Sequence, residues 1–163
     1  MVITIDGAAG VGKTTTAKEL ARKLGFKYLD TGAMYRAITY FFIQHQVDIE
    51  SKNMVINSLY TLSLDVSFPV DRPTKIMLDG EDISEDIRKK VVTNRVSQVS
   101  AIEDVRKKMV KIQKEIVSNG NFVVEGRDIG TVVFPNAEHK FFLVADYDIR
   151  AKRRLKDFQS VNE

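Results

Sequence analysis

One stretch near the start restricts this chain more than any other: Gly7-Ala8-Ala9-Gly10-Val11-Gly12-Lys13-Thr14. It fits the spacing G-x-x-x-x-G-K-[ST], and the residues on both sides suit that pattern. Val2 to Ile5 is short, apolar and β-branched, as a buried parallel strand should be. Beyond Lys13, the apolar residues Ala17, Leu20, Ala21 and Leu24 recur at i, i+3, i+4 and i+7, and Gly25 supplies a helix stop. A glycine turn between strand and helix lets backbone N–H groups curl around a phosphate, and the helix N-terminus adds its partial positive charge there. Lys13 is expected at the β- and γ-phosphates. Thr14 is expected at the Mg²⁺ side, and Thr15 beside it at the nucleotide. The alternative is a glycine turn that merely joins a strand to a helix; the full spacing in this setting favours a nucleoside triphosphate site.

The rest of the chain follows the rhythm this start imposes. Phe26 to Leu29 predicts a second strand ending in Asp30-Thr31-Gly32, so strand, helix and strand form a βαβ unit with a parallel sheet. Polar residues at the carboxyl ends of such strands line the ligand crevice, which brings Asp30 and Thr31 toward the glycine loop. Ala33 to Gln44 predicts a helix that buries Ile38, Phe41 and Phe42 and carries Arg36 near its start. Arg36 is either a surface charge or a ligand to the crevice. Ser51 predicts a cap for a helix through Tyr60. The period then changes: Leu64 to Phe68 and Lys75 to Asp79 alternate, with Pro69 to Pro73 between them and an Asp79-Gly80 turn after them. An antiparallel hairpin inserted in an α/β chain is expected, with residues 62–88 as a small subdomain on a core of residues 1–61 and 89–163.

Val91 to Asn119 is helical in pattern, broken near Ala101-Ile102, with lysines on the solvent face of the second piece. Phe122-Val123-Val124-Glu125 predicts a buried strand ending in an acid. In a chain with this loop, such an acid is either the second carboxylate near Mg²⁺ or an ordinary strand-terminal residue. Lys140 to Ala145 predicts a further buried strand, and Asp146 a cap for a helix bearing Arg150, Arg153 and Arg154. The chain has no cysteine, which excludes disulfides and thiolate metal sites and points to a reducing, cytoplasmic setting. A net charge of +3 without a basic block gives no reason to expect nucleic acid, and no apolar run is long enough for a membrane span.

Several stretches together resemble the bacterial-type cytidylate kinases, and the resemblance covers nearly the whole chain. They are Asp30-Thr31-Gly32-Ala33-Met34-Tyr35-Arg36, which is similar to the family's D-[ST]-G-x-x-Y-R; Val96-Ser97-Gln98-Val99-Ser100 with Arg106 after it; and Glu125-Gly126-Arg127-Asp128-Ile129-Gly130-Thr131-Val132-Val133-Phe134-Pro135. Leu78-Asp79-Gly80-Glu81-Asp82-Ile83 in the insert belongs to the same pattern. The resemblance implies a P-loop nucleoside monophosphate kinase fold: a parallel sheet flanked by helices, with a small antiparallel β insert. It implies ATP with Mg²⁺ as phosphoryl donor, CMP or dCMP as acceptor, and a monomer.

It also implies roles. Lys13, Arg36, Arg127 and Arg154 would act on the phosphates in catalysis, and Arg36 and Arg127 would grip the acceptor's monophosphate by paired guanidinium bonds. Ser97, Arg106 and Asp128 would read cytosine, whose amino donor and neighbouring acceptors need both kinds of partner, with Thr31 and Tyr35 beside them. Arg150 and Arg153 would lie over ATP, and Thr14 and Glu125 would serve the metal. The family usually has aspartate where Glu125 stands. In the family the chain continues through an arginine-bearing lid and a closing strand and helix, none of which follows Glu163, so the sequence is expected to be a fragment. The rival readings are a P-loop kinase of UMP, another nucleoside monophosphate or a shikimate-like acid, and a nucleotide-binding fragment or switch without turnover. The switch would need N-K-x-D, which the sequence lacks.

Overall fold

The computed structural model describes residues 1–69 and 73–160, without the side chains of residues 154 and 156–160. In chain order the elements are β1 (Val2–Gly7), α1 (Lys13–Leu24), β2 (Lys27–Asp30), α2 (Thr31–Gln44), α3 (Lys52–Thr61), β3 (Leu64–Ser67), β4 (Lys75–Leu78) and β5 (Glu81–Asp82). A 3₁₀ turn (Asp86–Arg88) leads to α4 (Lys90–Ala101), α5 (Glu103–Val117) and β6 (Phe122–Gly126). A single π-helical turn (Ile129–Val133), β7 (His139–Leu143) and α6 (Tyr147–Ser160) complete it. The chain forms two compact units, Met1–Thr31 with Val117–Glu163, and Gly32–Ile116.

The first unit is built on a parallel sheet of order β2-β6-β1-β7. α1 packs on one of its faces through Ala17 and Ala21, which meet Ile3, Ile5 and Val123, with Leu20, Phe26, Tyr28 and Leu143 around them. Small residues on the helix let it approach the branched side chains of the strands closely. The expected stop is there: Gly25 adopts φ 66° and its N–H returns to the carbonyls of Ala21 and Arg22. Register then sets the chemistry. Ile5 and Asp30 both lie opposite Glu125, and Asp6 lies opposite Gly126, so the carboxyl ends of three strands bring Asp6, Asp30 and Glu125 to one edge.

The strand expected over Lys140 to Ala145 forms earlier, as His139–Leu143, and it is not buried. Phe141 is 50% exposed, Phe142 69% and Val144 80%. Among the described residues β7 pairs with β1 alone, on the outside of the sheet. Apolar composition predicted a strand that would gain from cover; the edge position leaves it without a described layer over these side chains.

The second unit combines α2 to α5 with an antiparallel sheet of order β3-β4-β5. α2 starts at Thr31, directly after β2 and two residues before the expected start. It buries Met34, Ala37, Ile38, Phe41 and Phe42, the i, i+3, i+4, i+7, i+8 stripe of a one-sided helix. Ser51 caps α3, its hydroxyl accepting from the Met54 N–H at 3.4 Å. Extended backbone at Ile102 divides α4 from α5 where the pattern predicted a break. The hairpin gains a third strand that the sequence reading missed. Asp79 and Gly80 both take positive φ, 50° and 83°, the turn that folds Glu81–Asp82 back onto β4 with Met77 opposite Asp82. A two-residue strand is too short to show alternation. Residues 70–72 of the hairpin connection lie outside the described residues. No helix among the described residues is long and apolar enough to cross a membrane.

Candidate functional site

The glycine loop sits where β1 hands the chain to α1. Gly7, Gly10 and Gly12 all have positive φ, and Gly12, at 98°, is the N-cap of α1. Gly10 is met by the backbone of α6. A Cβ there would lie 2.9 Å from the Arg150 carbonyl oxygen, on a backbone already at φ 78°. α6 therefore runs against the loop, and two of its arginines hold the loop's outer carbonyls. Arg150 Nε donates to Ala9 O at 3.1 Å and an Arg153 guanidinium nitrogen donates to Gly10 O at 3.2 Å. Val11 is buried, and Thr14 and Thr15 are exposed in the first turn of α1. The Arg154 side chain lies outside the described residues.

Lys13 Nζ donates to Ala8 O at 2.9 Å, closing the loop on itself. Burial pushes its pKa down and Arg127 adds to that, while Glu125, Asp30 and Asp6 act against it. Glu125, 3% exposed, has its pKa pushed up by burial and by Asp30; bonds from Tyr28 and Thr14 and the charge of Lys13 oppose the rise. The Tyr28 hydroxyl donates to Glu125 Oε1, and the Thr14 hydroxyl lies close to both. Burial raises the Tyr28 pKa, with Asp30 and Glu125 adding to it, so the phenol stays protonated and remains a donor. Lys13, Asp30, Glu125 and Arg127 thus form one cluster of interacting charges at the loop.

A second bridge ties the stretch after β6 to β1. The two carboxylate oxygens of Asp6 accept from the N–H groups of Ile129 and Gly130, each at 2.8 Å. Asp6 is 6% exposed. The bridge fixes the π turn directly after the exposed Arg127 and the half-buried Asp128. Asp128 O accepts from Val132 N at 2.9 Å and from the Thr131 hydroxyl at 3.3 Å. Thr31 Oγ1 donates to Glu125 O at 2.8 Å, pinning the end of β2 to β6.

The remaining expected ligands belong to the second unit. Arg36, half-buried on α2, donates to Thr93 Oγ1 on α4 at 2.9 Å. Tyr35 O accepts from Thr39 Oγ1 at 2.8 Å, and Ser97 O from Ser100 Oγ at 3.1 Å. Ser97 is exposed and Arg106 half-buried near the start of α5. The sequence reading missed Asp6, Tyr28 and Thr93. A signal existed for the first two: each is polar or amphipathic inside a strand otherwise read as apolar. Thr93 carried none.

A magnesium ion would meet hard oxygen donors here, a threonine hydroxyl and a buried carboxylate close to it, and that donor chemistry fits the ion. Among the described residues no group of three or more His, Cys, Asp or Glu side chains forms an all-protein metal cage.

The chain is similar to proteins of a known family. The family model described as cytidylate kinase matches residues 3–163. The chain is 46% identical to a cytidylate kinase of Caldanaerobacter subterraneus subsp. tengcongensis, over 97% of this chain and 68% of that protein. It is 46% identical to one of Protochlamydia amoebophila, over 98% and 70%, and 48% identical to one of Streptococcus gordonii, over 95% and 69%. With a glycine loop, a strand-end acid and the arginine-bearing turn after it in one matched frame, the chain belongs to the cytidylate kinase family.

Proposed function

We propose that this chain transfers the γ-phosphoryl group of ATP to CMP or dCMP, giving ADP and CDP or dCDP. The observation that carries the reading is the loop itself, with Lys13 and the Glu125–Thr14 pair gathered at its mouth. An oxygen of the acceptor's phosphate attacks the γ-phosphorus in line. The new P–O bond forms as the bridge to the β-phosphate breaks, and ADP carries that electron pair away. The acceptor is already an anion, so no side chain has to act as a strong base. Catalysis is then positioning and charge stabilisation.

The roles follow from that chemistry. Lys13 exchanges Ala8 O for the β- and γ-phosphates. Arg36 and Arg127 grip the acceptor's monophosphate, and Ser97, Arg106, Asp128, Thr31 and Tyr35 surround its base. Arg150, Arg153 and Arg154 serve the ATP side. Thr14 and Glu125 would hold Mg²⁺, which when bound neutralises charge on the β- and γ-oxygens. Residues 62–88 act as the acceptor-side insert on the core of residues 1–61 and 89–163. A coupled assay for ADP with a panel of acceptors tests the reading. CMP and dCMP should exceed UMP by a factor of about 10² or more, because a site built to bond an amino group leaves buried acceptors unpaired against a carbonyl. Equal rates with UMP or AMP would overturn it.

A further inference from the structure

We infer that Tyr28 is a positioning residue of the phosphoryl-transfer site, its hydroxyl holding the Glu125 carboxylate in one orientation so that its oxygens are preset for a divalent cation. The inference rests on the proposed reading of the loop as a triphosphate cradle. Its geometry starts from register. Tyr28 lies opposite Val123 and Asp30 opposite Glu125, so Tyr28 stands one step diagonally behind Glu125 on the same face of the sheet. That face carries α1, and the Tyr28 ring packs against the Ile3, Ile5, Ala17, Ala21 and Val123 cluster. Lys18 Nζ lies over the ring, 5.6 Å from its centroid. The ring is therefore fixed by packing, and its hydroxyl reaches forward to Glu125. A glutamate has three side-chain torsions and cannot hold one geometry unaided. The bond from a rigid phenol removes that freedom before any ligand arrives.

Tyr28→Phe keeps the ring and removes only the hydroxyl. The test is calorimetric titration of ATP with excess Mg²⁺ and with EDTA, for wild type, Tyr28→Phe, Glu125→Gln and the double variant. Wild type should bind ATP more tightly with Mg²⁺, and Tyr28→Phe should reduce that enhancement about tenfold, leaving affinity in EDTA within twofold of wild type. In the Glu125→Gln background the same change should have no further effect. A Tyr28→Phe enhancement equal to wild type overturns the inference alone, as does an equal loss in both Glu125 backgrounds, which would mean lost packing. No Mg²⁺ enhancement in wild type overturns the reading of the loop and the inference with it.

Discussion

Removing Asp6 should uncouple the acceptor-side turn from the rest of the first unit. The carboxylate accepts two backbone N–H groups, those of Ile129 and Gly130, and is itself buried. A hydrogen bond to a charged partner contributes roughly 1.5–3 kcal/mol. Asp6→Ala deletes two and leaves both donors unpaired, with room for a water to recover part of the loss. The net cost is about 3–4 kcal/mol. For a domain of this size that lowers the melting midpoint by about 6–16 °C. Asp6→Asn keeps one acceptor but turns an NH₂ against the second donor, and should cost about 1.5–3 kcal/mol. Glycine suits position 130: a Cβ there would lie 2.7 Å from Thr4 Oγ1 and 3.3 Å from Asp6 Oδ2, so a larger residue would force a neighbour to shift. Because the turn directly follows Arg127 and Asp128, CMP affinity should fall at least tenfold in the Ala variant. Urea unfolding and CMP titration on the same preparations decide the matter. A loss below about 1 kcal/mol for Asp6→Ala would show that other contacts hold the turn, and the argument from this bridge would fail.

Three further outcomes are expected. Lys13→Ala should abolish most ATP affinity in a calorimetric titration while the unfolding curve barely moves, because the lysine donates to Ala8 O within the loop itself. Asp128→Asn should weaken CMP by about 1–3 kcal/mol and ATP far less; equal losses would make its role structural. Asp82 is held at a pKa of about 2, first by the bond from Lys75 and then by those from Ser84. Its folded value is below its unfolded one, so its contribution to stability is complete above about pH 4 and is lost as pH falls through about 2. Carbon-detected NMR titration of the carboxyl should show that midpoint, and one near 4 would mean the Lys75 and Ser84 bonds do not persist in solution.

How legible was this architecture in the residues? β1, α1 and Gly25 could be read because each obeys a local rule: a β-branched run, a 3.6 period and a left-handed stop. The break at Ile102 and the Ser51 cap were read in the same way. β7 could not be placed correctly, because apolar residues report a preference for cover and the edge of a sheet is a property of topology. β5 escaped because two residues carry no period. At the site, the glycine loop and Glu125 announced themselves by spacing and by charge at a strand end. Asp6 and Tyr28 did not, because their partners lie 123 and 97 residues away in sequence, and only the parallel register brings them together.

The bond between Lys13 and Ala8 holds the lysine within its own loop. An ammonium has three N–H donors, and one bond to a carbonyl leaves two for a ligand. The tether limits the side chain's freedom before any ligand arrives, so less has to be ordered on binding. A polyphosphate, which also gathers the loop N–H groups, draws on the lysine and the backbone together. A single small anion such as sulfate touches fewer of these groups and gains less from the same placement.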